Sequence, residues 1–99
     1  MRKFIDTRAG RVAVDDSEAG GDVLLMLHGN SGSGAAFSHQ LHEFSRDLRV
    51  VAIDYPGHGA SDDAVQPERD YTLSGYANAI ADALDALGAR RVFAVGVSL

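Results

Sequence analysis

The chain has 99 residues, nine basic and fourteen acidic, with a net charge of −5, 45% hydrophobic residues and no cysteine. That is room for one small domain, taken as residues 1–99, with the composition of a packed globular chain and not of a disordered one. Disulfides, thiolate zinc sites and a cysteine nucleophile are excluded, and the scattered basic residues speak against nucleic acid or an anionic membrane as the main partner.

The start, Met1–Thr7, carries Arg2 and Lys3 but no long apolar run behind them, so a secretory signal is not expected. Val23–Leu27, the most apolar stretch, is far too short to span a bilayer, and the expected location is cytoplasmic. Lys3–Asp6 and Arg11–Asp15 read as short strands around Ala9-Gly10, an N-terminal hairpin. Val23–Leu27 is the continuous apolar run of a strand buried on both faces of a parallel sheet. The glycine-rich stretch Gly29–Gly34 comes next, and Ala36, Phe37, Leu41 and Phe44 then recur at roughly helical spacing. Val50–Ile53 is a second apolar strand, ending in Asp54 and the turn Pro56-Gly57-His58-Gly59.

Asp62–Asp70 reads as a charged surface loop containing Pro67. Thr72 is an N-cap without a capping box, because Gly75 stands where a Glu would. Leu73, Tyr76, Ile80, Leu84 and Leu87 repeat at helix spacing, and Gly88 supplies the stop. Val92–Val95 is a third apolar strand, running into Gly96-Val97-Ser98-Leu99. Strand, helix, strand, helix, strand is the order of a parallel sheet with crossovers, so the expected class is α/β with helices on both faces, a three-layer sandwich.

Three constellations carry chemistry. Gly96-Val97-Ser98 after a strand fits the start of a nucleophile elbow, in which a small residue two before the serine permits the sharp turn. The same triplet also describes a serine capping an ordinary helix. His28-Gly29-Asn30-Ser31-Gly32-Ser33-Gly34 could present a backbone N–H to a developing oxyanion, or could simply reverse the chain. The third is Asp54-Tyr55-Pro56-Gly57-His58-Gly59-Ala60-Ser61.

With these in order, the chain resembles the N-terminal part of the α/β-hydrolase family over residues 3–99. The family shows an H-G motif after its third strand, D-x-P-G-x-G-x-S after its fourth, a Thr-Leu-like helix start, and the elbow after its fifth. Here these are His28-Gly29, Asp54 to Ser61, Thr72-Leu73, and Gly96 to Leu99. The resemblance implies a sheet order of 1-2-4-3-5 with Ser98 at the end of the fifth strand. It implies Ser98 as nucleophile and the backbone N–H groups of Asn30 and Leu99 as oxyanion donors. It gives structural parts to His28, Gly29, Asp54, Pro56, Gly57, Gly59, Ser61 and Gly96.

The implied reaction is hydrolysis of an ester-like small-molecule substrate through an acyl-enzyme, without cofactor or metal. An Asp at position 98 would have pointed to haloalkane dehalogenases or epoxide hydrolases instead. The family's order is Ser, acid, His, so neither His28 nor His58 is expected to be the base. The acid and histidine are expected beyond Leu99, and the 99 residues alone are expected to be inactive. The Val92–Val95 strand is expected to be an open edge inviting self-association.

Rival readings fail on particular residues. Gly29, Gly32 and Gly34 do not fit the G-x-G-x-x-G of a nucleotide-binding Rossmann start, and Ala35-Ala36 stand where a P-loop needs Lys and Ser/Thr. His39, His42 and Glu43 share a helical face but lack a matching ligand cluster, and Asp62, Asp63, Glu68 and Asp70 read as a solvated loop. A non-catalytic binding member of the same fold stays open.

Overall fold

The computed structural model describes residues 1–29 and 32–97. The chain opens with an antiparallel hairpin of β1 (Arg2–Thr7) and β2 (Gly10–Asp16). Thr7 makes the turn, its hydroxyl donating to the Gly10 carbonyl at 2.6 Å and accepting from the Ala9 N–H, while Gly10 takes φ +115°. Strand β3 (Val23–Leu27) leads to a single 3-10 turn at Gly34–Phe37 that runs into α1 (Ser38–Phe44). Then come β4 (Arg49–Ile53), the short α2 (Pro67–Asp70), α3 (Leu73–Ala86) and β5 (Val92–Gly96).

The strands form one sheet in the order β1-β2-β4-β3-β5, as expected. β1 and β2 join it antiparallel, whereas β3 pairs parallel with both β4 and β5. Side-chain alternation divides the sheet into two faces. Val23, Leu25, Val51 and Ile53 point to one side, where Val12, Val14 and Ala83 of α3 complete a core. Met26, Val50 and Ala52 point to the other, against Phe37 and Leu41. Helices therefore cover both faces, the three-layer arrangement.

The helix register departs from the pattern in the sequence. On α3 the fully buried positions are Gly75, Ala79 and Ala83, one every four residues, while Ile80, Leu84 and Leu87 flank them partly buried. Small residues at the line of contact let the helix lie close to the sheet. Leu73, placed on the apolar stripe by spacing, is 70% exposed at the helix start. Phe44 is likewise exposed, so Phe37 of the 3-10 turn and Leu41 of α1 are the apolar residues of this segment that reach the core. The Thr72 cap forms as expected, its hydroxyl accepting from the Gly75 N–H at 2.9 Å. In β5 the side chains are mostly exposed, including Phe93 and Val95, and among the described residues its outer edge pairs with no strand. Among the described residues no helix is long and apolar enough to cross a membrane.

A charged hub ties the hairpin to the parallel strands. Asp16, fully buried, accepts from both Nε and Nη2 of Arg49 at 3.0 and 2.7 Å, and from Lys3 Nζ at 3.0 Å. Arg49 Nη1 donates in turn to the Leu87 carbonyl at the end of α3. Burial raises the Asp16 pKa, but the Arg49, Glu18 N–H and Lys3 hydrogen bonds outweigh it and hold the carboxyl well below its ordinary value. At the other end of the hairpin, Arg8 donates to Asp82 of α3 from its backbone and guanidinium, which pulls the Asp82 carboxyl down to about 2. Both folded-state values lie below the unfolded carboxylate value of ~3.9. Their stabilisation is thus present above that pH and drains away as the pH falls from there. Acid titration followed by circular dichroism should show unfolding beginning below about pH 4. Asp16→Ala, which strands Arg49, should cost about 3 kcal/mol in urea unfolding at pH 7 and flatten that acid limb.

Candidate active site

The parallel register sets Leu27 beside both Ile53 and Gly96, so β3, β4 and β5 end level with one another. The segments after them meet at one edge of the sheet, where open α/β sheets place their ligands. A hydrogen bond from the Val97 N–H to the Leu27 carbonyl, at 3.1 Å, carries the β3–β5 pairing one residue past β5. Residue 97 therefore lies beside the start of the His28-Gly29 segment. Of the residues predicted for the site, Asn30, Ser98 and Leu99 lie outside the described residues. His28, Gly29, Asp54, Pro56, Gly57, Gly59, Ser61 and Gly96 lie among the described residues.

His28 is buried and fully engaged. Its Nε2 accepts from the Tyr55 N–H at 3.1 Å and its Nδ1 lies 2.7 Å from the Gly29 carbonyl. Only the tautomer with the proton on Nδ1 satisfies both contacts. Both ring nitrogens are thus engaged, one with the turn after β4 and one with its own loop. His58, half-buried, meets the Pro56 carbonyl through Nδ1 at 3.0 Å.

Asp54 is buried as well. Oδ1 accepts from the Gly34 N–H at 2.6 Å, and Oδ2 from the Ala60 N–H at 2.9 Å. Ser61 Oγ donates to the Asp54 carbonyl at 2.7 Å and accepts from the Ala13 N–H at 2.8 Å, tying the turn to β2. The two glycines of the turn have left-handed backbones, φ +74° at Gly57 and +51° at Gly59. A Cβ on Gly57 would meet the Tyr71 ring, and one on Gly59 would overlap the Asp54 carboxylate. The D-x-P-G-x-G-x-S pattern is thus a turn folded around its own first residue.

Tyr55 and Tyr76 join the site although their places in the sequence do not mark them for it. Their rings stack with centroids 5.0 Å apart at 11°, and His28 and His58 pack against them. Burial, and then Tyr76, push the Tyr55 hydroxyl above its ordinary pKa, so it stays a neutral phenol. Tyr55 stands inside the motif and Tyr76 on the helix stripe, and nothing local in the sequence joins them.

Elsewhere one expectation is corrected. Asp70 is not part of a solvated loop: it is buried at the end of α2, held by Arg69 at 2.7 Å and by the Gln66 N–H at 2.9 Å. Pro67 at the helix start and the bond to Arg69 explain why a charged stretch turns helical there. Asp62, Asp63 and Glu68 are exposed, as are His39, His42 and Glu43 along α1.

Residues 22–99 match the alpha/beta hydrolase fold family. The chain belongs to the α/β-hydrolase fold family. The solved N-acyl homoserine lactonase AidH, complexed with N-butanoyl homoserine, is 44% identical and superimposes with a TM-score of 0.90, over 95% of this chain and 35% of the lactonase. Epoxide hydrolase 4 of Mus musculus is 38% identical over 79 residues, 80% of this chain and 22% of that protein. The 2-(acetamidomethylene)succinate hydrolase of Mesorhizobium japonicum is 33% identical over 99 residues, 97% of this chain and 34% of that enzyme. The chain therefore spans between about a fifth and a third of the length of these relatives.

Gly59→Ala should be damaging in this turn, because it combines a left-handed backbone with overlap at the buried Asp54 carboxylate. It should lower stability by about 2 kcal/mol or more. Ala60→Ser, one residue on, should stay within about 0.5 kcal/mol. Paired urea titrations compare them.

Proposed function

We propose that this chain forms the nucleophile-bearing part of a serine hydrolase that cleaves ester-like bonds in small molecules through an acyl-enzyme. The observation that carries the reading is the Val97 to Leu27 hydrogen bond. It brings the residue before Ser98 alongside the segment that leads to Asn30. In this proposal Ser98 Oγ attacks the carbonyl carbon and gives its proton to a histidine from the remainder of the full-length hydrolase. The backbone N–H groups of Asn30 and Leu99 hold the oxyanion. Collapse of the tetrahedral intermediate breaks the carbon–oxygen bond, and the leaving alkoxide takes the proton from the histidine. Water, deprotonated by the same base, then releases the acid and restores Ser98.

The likeness to a lactonase at 44% identity makes cyclic esters the substrates to try first. The likeness to epoxide hydrolase 4 suggests epoxide opening as a second reading. Chemistry favours the first. A serine oxygen adding to an epoxide would leave an ether, which water does not cleave, whereas an acyl-serine is an ester and turns over.

In the full-length protein, a fluorophosphonate probe should label Ser98, and Ser98→Ala should abolish labelling and cut ester or lactone hydrolysis by about 10⁴-fold or more. Failure to label a folded protein that has its histidine in place would favour a non-catalytic binding role. The 99 residues alone should label only at background rate.

The open sheet edge bears on association. With the β5 edge unpaired among the described residues and Phe93, Val95 and Val97 exposed, the isolated chain should self-associate. Phe93→Lys combined with Val95→Lys should shift sedimentation toward monomer. A monodisperse unmodified chain would argue against this.

A further inference from the structure

We infer that the adjacent residues Asp54 and Tyr55 clamp the two stems of the His28–Gly34 loop, and that Asp54 is a positioning residue for the oxyanion donor. The inference rests on the serine-hydrolase reading above. Asp54 and Tyr55 are consecutive, directly after β4, yet they hold opposite ends of the same loop. The Tyr55 N–H fixes the first stem through His28 Nε2 at 3.1 Å. The Asp54 carboxylate fixes the second through the Gly34 N–H at 2.6 Å. The loop closes on itself between them, the Gly32 N–H donating to the Gly29 carbonyl at 3.0 Å.

The carboxylate is an unusual choice for a packing role. Asp54 is 3% exposed, and among the described residues it enters no ion pair. Burying a charge without a cation is costly, so its hydrogen bonds must recover the loss. Its two oxygens serve two loops at once, Gly34 on one side and Ala60 on the other. An amide could supply only one acceptor and would turn its NH₂ toward the second N–H.

The glycines nearby fit this demand. A Cβ on Gly34 would stand 3.1 Å from Asp54 Oδ1 and 3.2 Å from the Ala52 side chain. Gly34 is therefore bare where its N–H must approach the carboxylate. Because both stems hang from one dipeptide, and β3 is in register with both β4 and β5, neither stem can shift relative to the end of β5 without breaking a clamp bond. The proposed nucleophile, Ser98, comes two residues after that end in the chain. Rigidity of this kind matters most to a group that must meet charge appearing only in the transition state.

The test is Asp54→Asn in the full-length protein. The folded variant should lose about 10- to 100-fold in kcat on an ester or lactone and in fluorophosphonate labelling rate. KM should stay within about twofold, since an oxyanion donor acts little on the ground state. A general loosening of the fold would instead move KM and kcat together. Gly34→Ala, which displaces the same N–H while keeping the carboxylate, should show the same split and serves if Asp54→Asn does not fold. A second readout needs no catalysis. In the 99-residue chain, Asp54→Asn should speed hydrogen exchange at the Gly34 amide at least tenfold while the β4 amides keep their protection. Unchanged exchange at Gly34, or folded variants that label at the unmodified rate, would overturn the clamp. An unmodified protein that is never labelled would overturn the serine-hydrolase reading instead, and the exchange measurement would still judge the clamp.

Discussion

A parallel pair of strands cannot be joined by a tight turn, so after β3 and again after β4 the chain must leave the sheet, cross a face and return at the starting end. Everything at the candidate site depends on that constraint. It makes β3, β4 and β5 finish at the same edge, and the pairing of Leu27 with Ile53 and Gly96 makes them finish level. Three segments that are far apart in the chain then have no choice but to meet. The crossovers also provide the covering layers, α1 on one face and α3 on the other.

The shape of the edge where they meet is governed by the need to satisfy buried polar groups. The ends of the strands release backbone N–H groups that have left the sheet ladder and have little water to turn to. His28 takes one from Tyr55 and Asp54 takes those of Gly34 and Ala60, while Ser61 takes the N–H of Ala13 from within β2. Among the described residues no buried side-chain nitrogen or oxygen lacks a partner. The H-G and D-x-P-G-x-G-x-S patterns are the residues able to do this in so little space. Gly34 and Gly59 stand where a Cβ would crowd or strike the Asp54 carboxylate that accepts the bonds.

A separate set of charges holds the hairpin against the parallel strands. Asp16, Arg49 and Lys3 work at one end and Arg8 with Asp82 at the other. These contacts lie away from the candidate site and join segments of quite different position in the chain. They let β1 and β2 extend the sheet, and the backbone N–H of Ala13 in β2 bonds to the turn at the candidate site.

The sequence by itself determined the class and the Thr72 cap, and its resemblance to the family implied the strand order. Each of these rests on local patterning, such as apolar runs bounded by glycine, or on a motif whose members are close in the chain. It did not reveal that Gly75, Ala79 and Ala83 form the contact line of α3 while Leu73 faces solvent, because spacing names a helical face without saying how near the sheet it must come. Nor did it reveal the burial of Asp70, the stacking of Tyr55 on Tyr76, or the Asp16–Arg49 hub. In each, a charge or a ring is explained by its spatial neighbour, and in the longest-range cases that neighbour is supplied only when the crossovers fold the chain back. The same holds for the clamp: Asp54-Tyr55 is legible as a motif, but only the tertiary structure sets that dipeptide between His28 and Gly34.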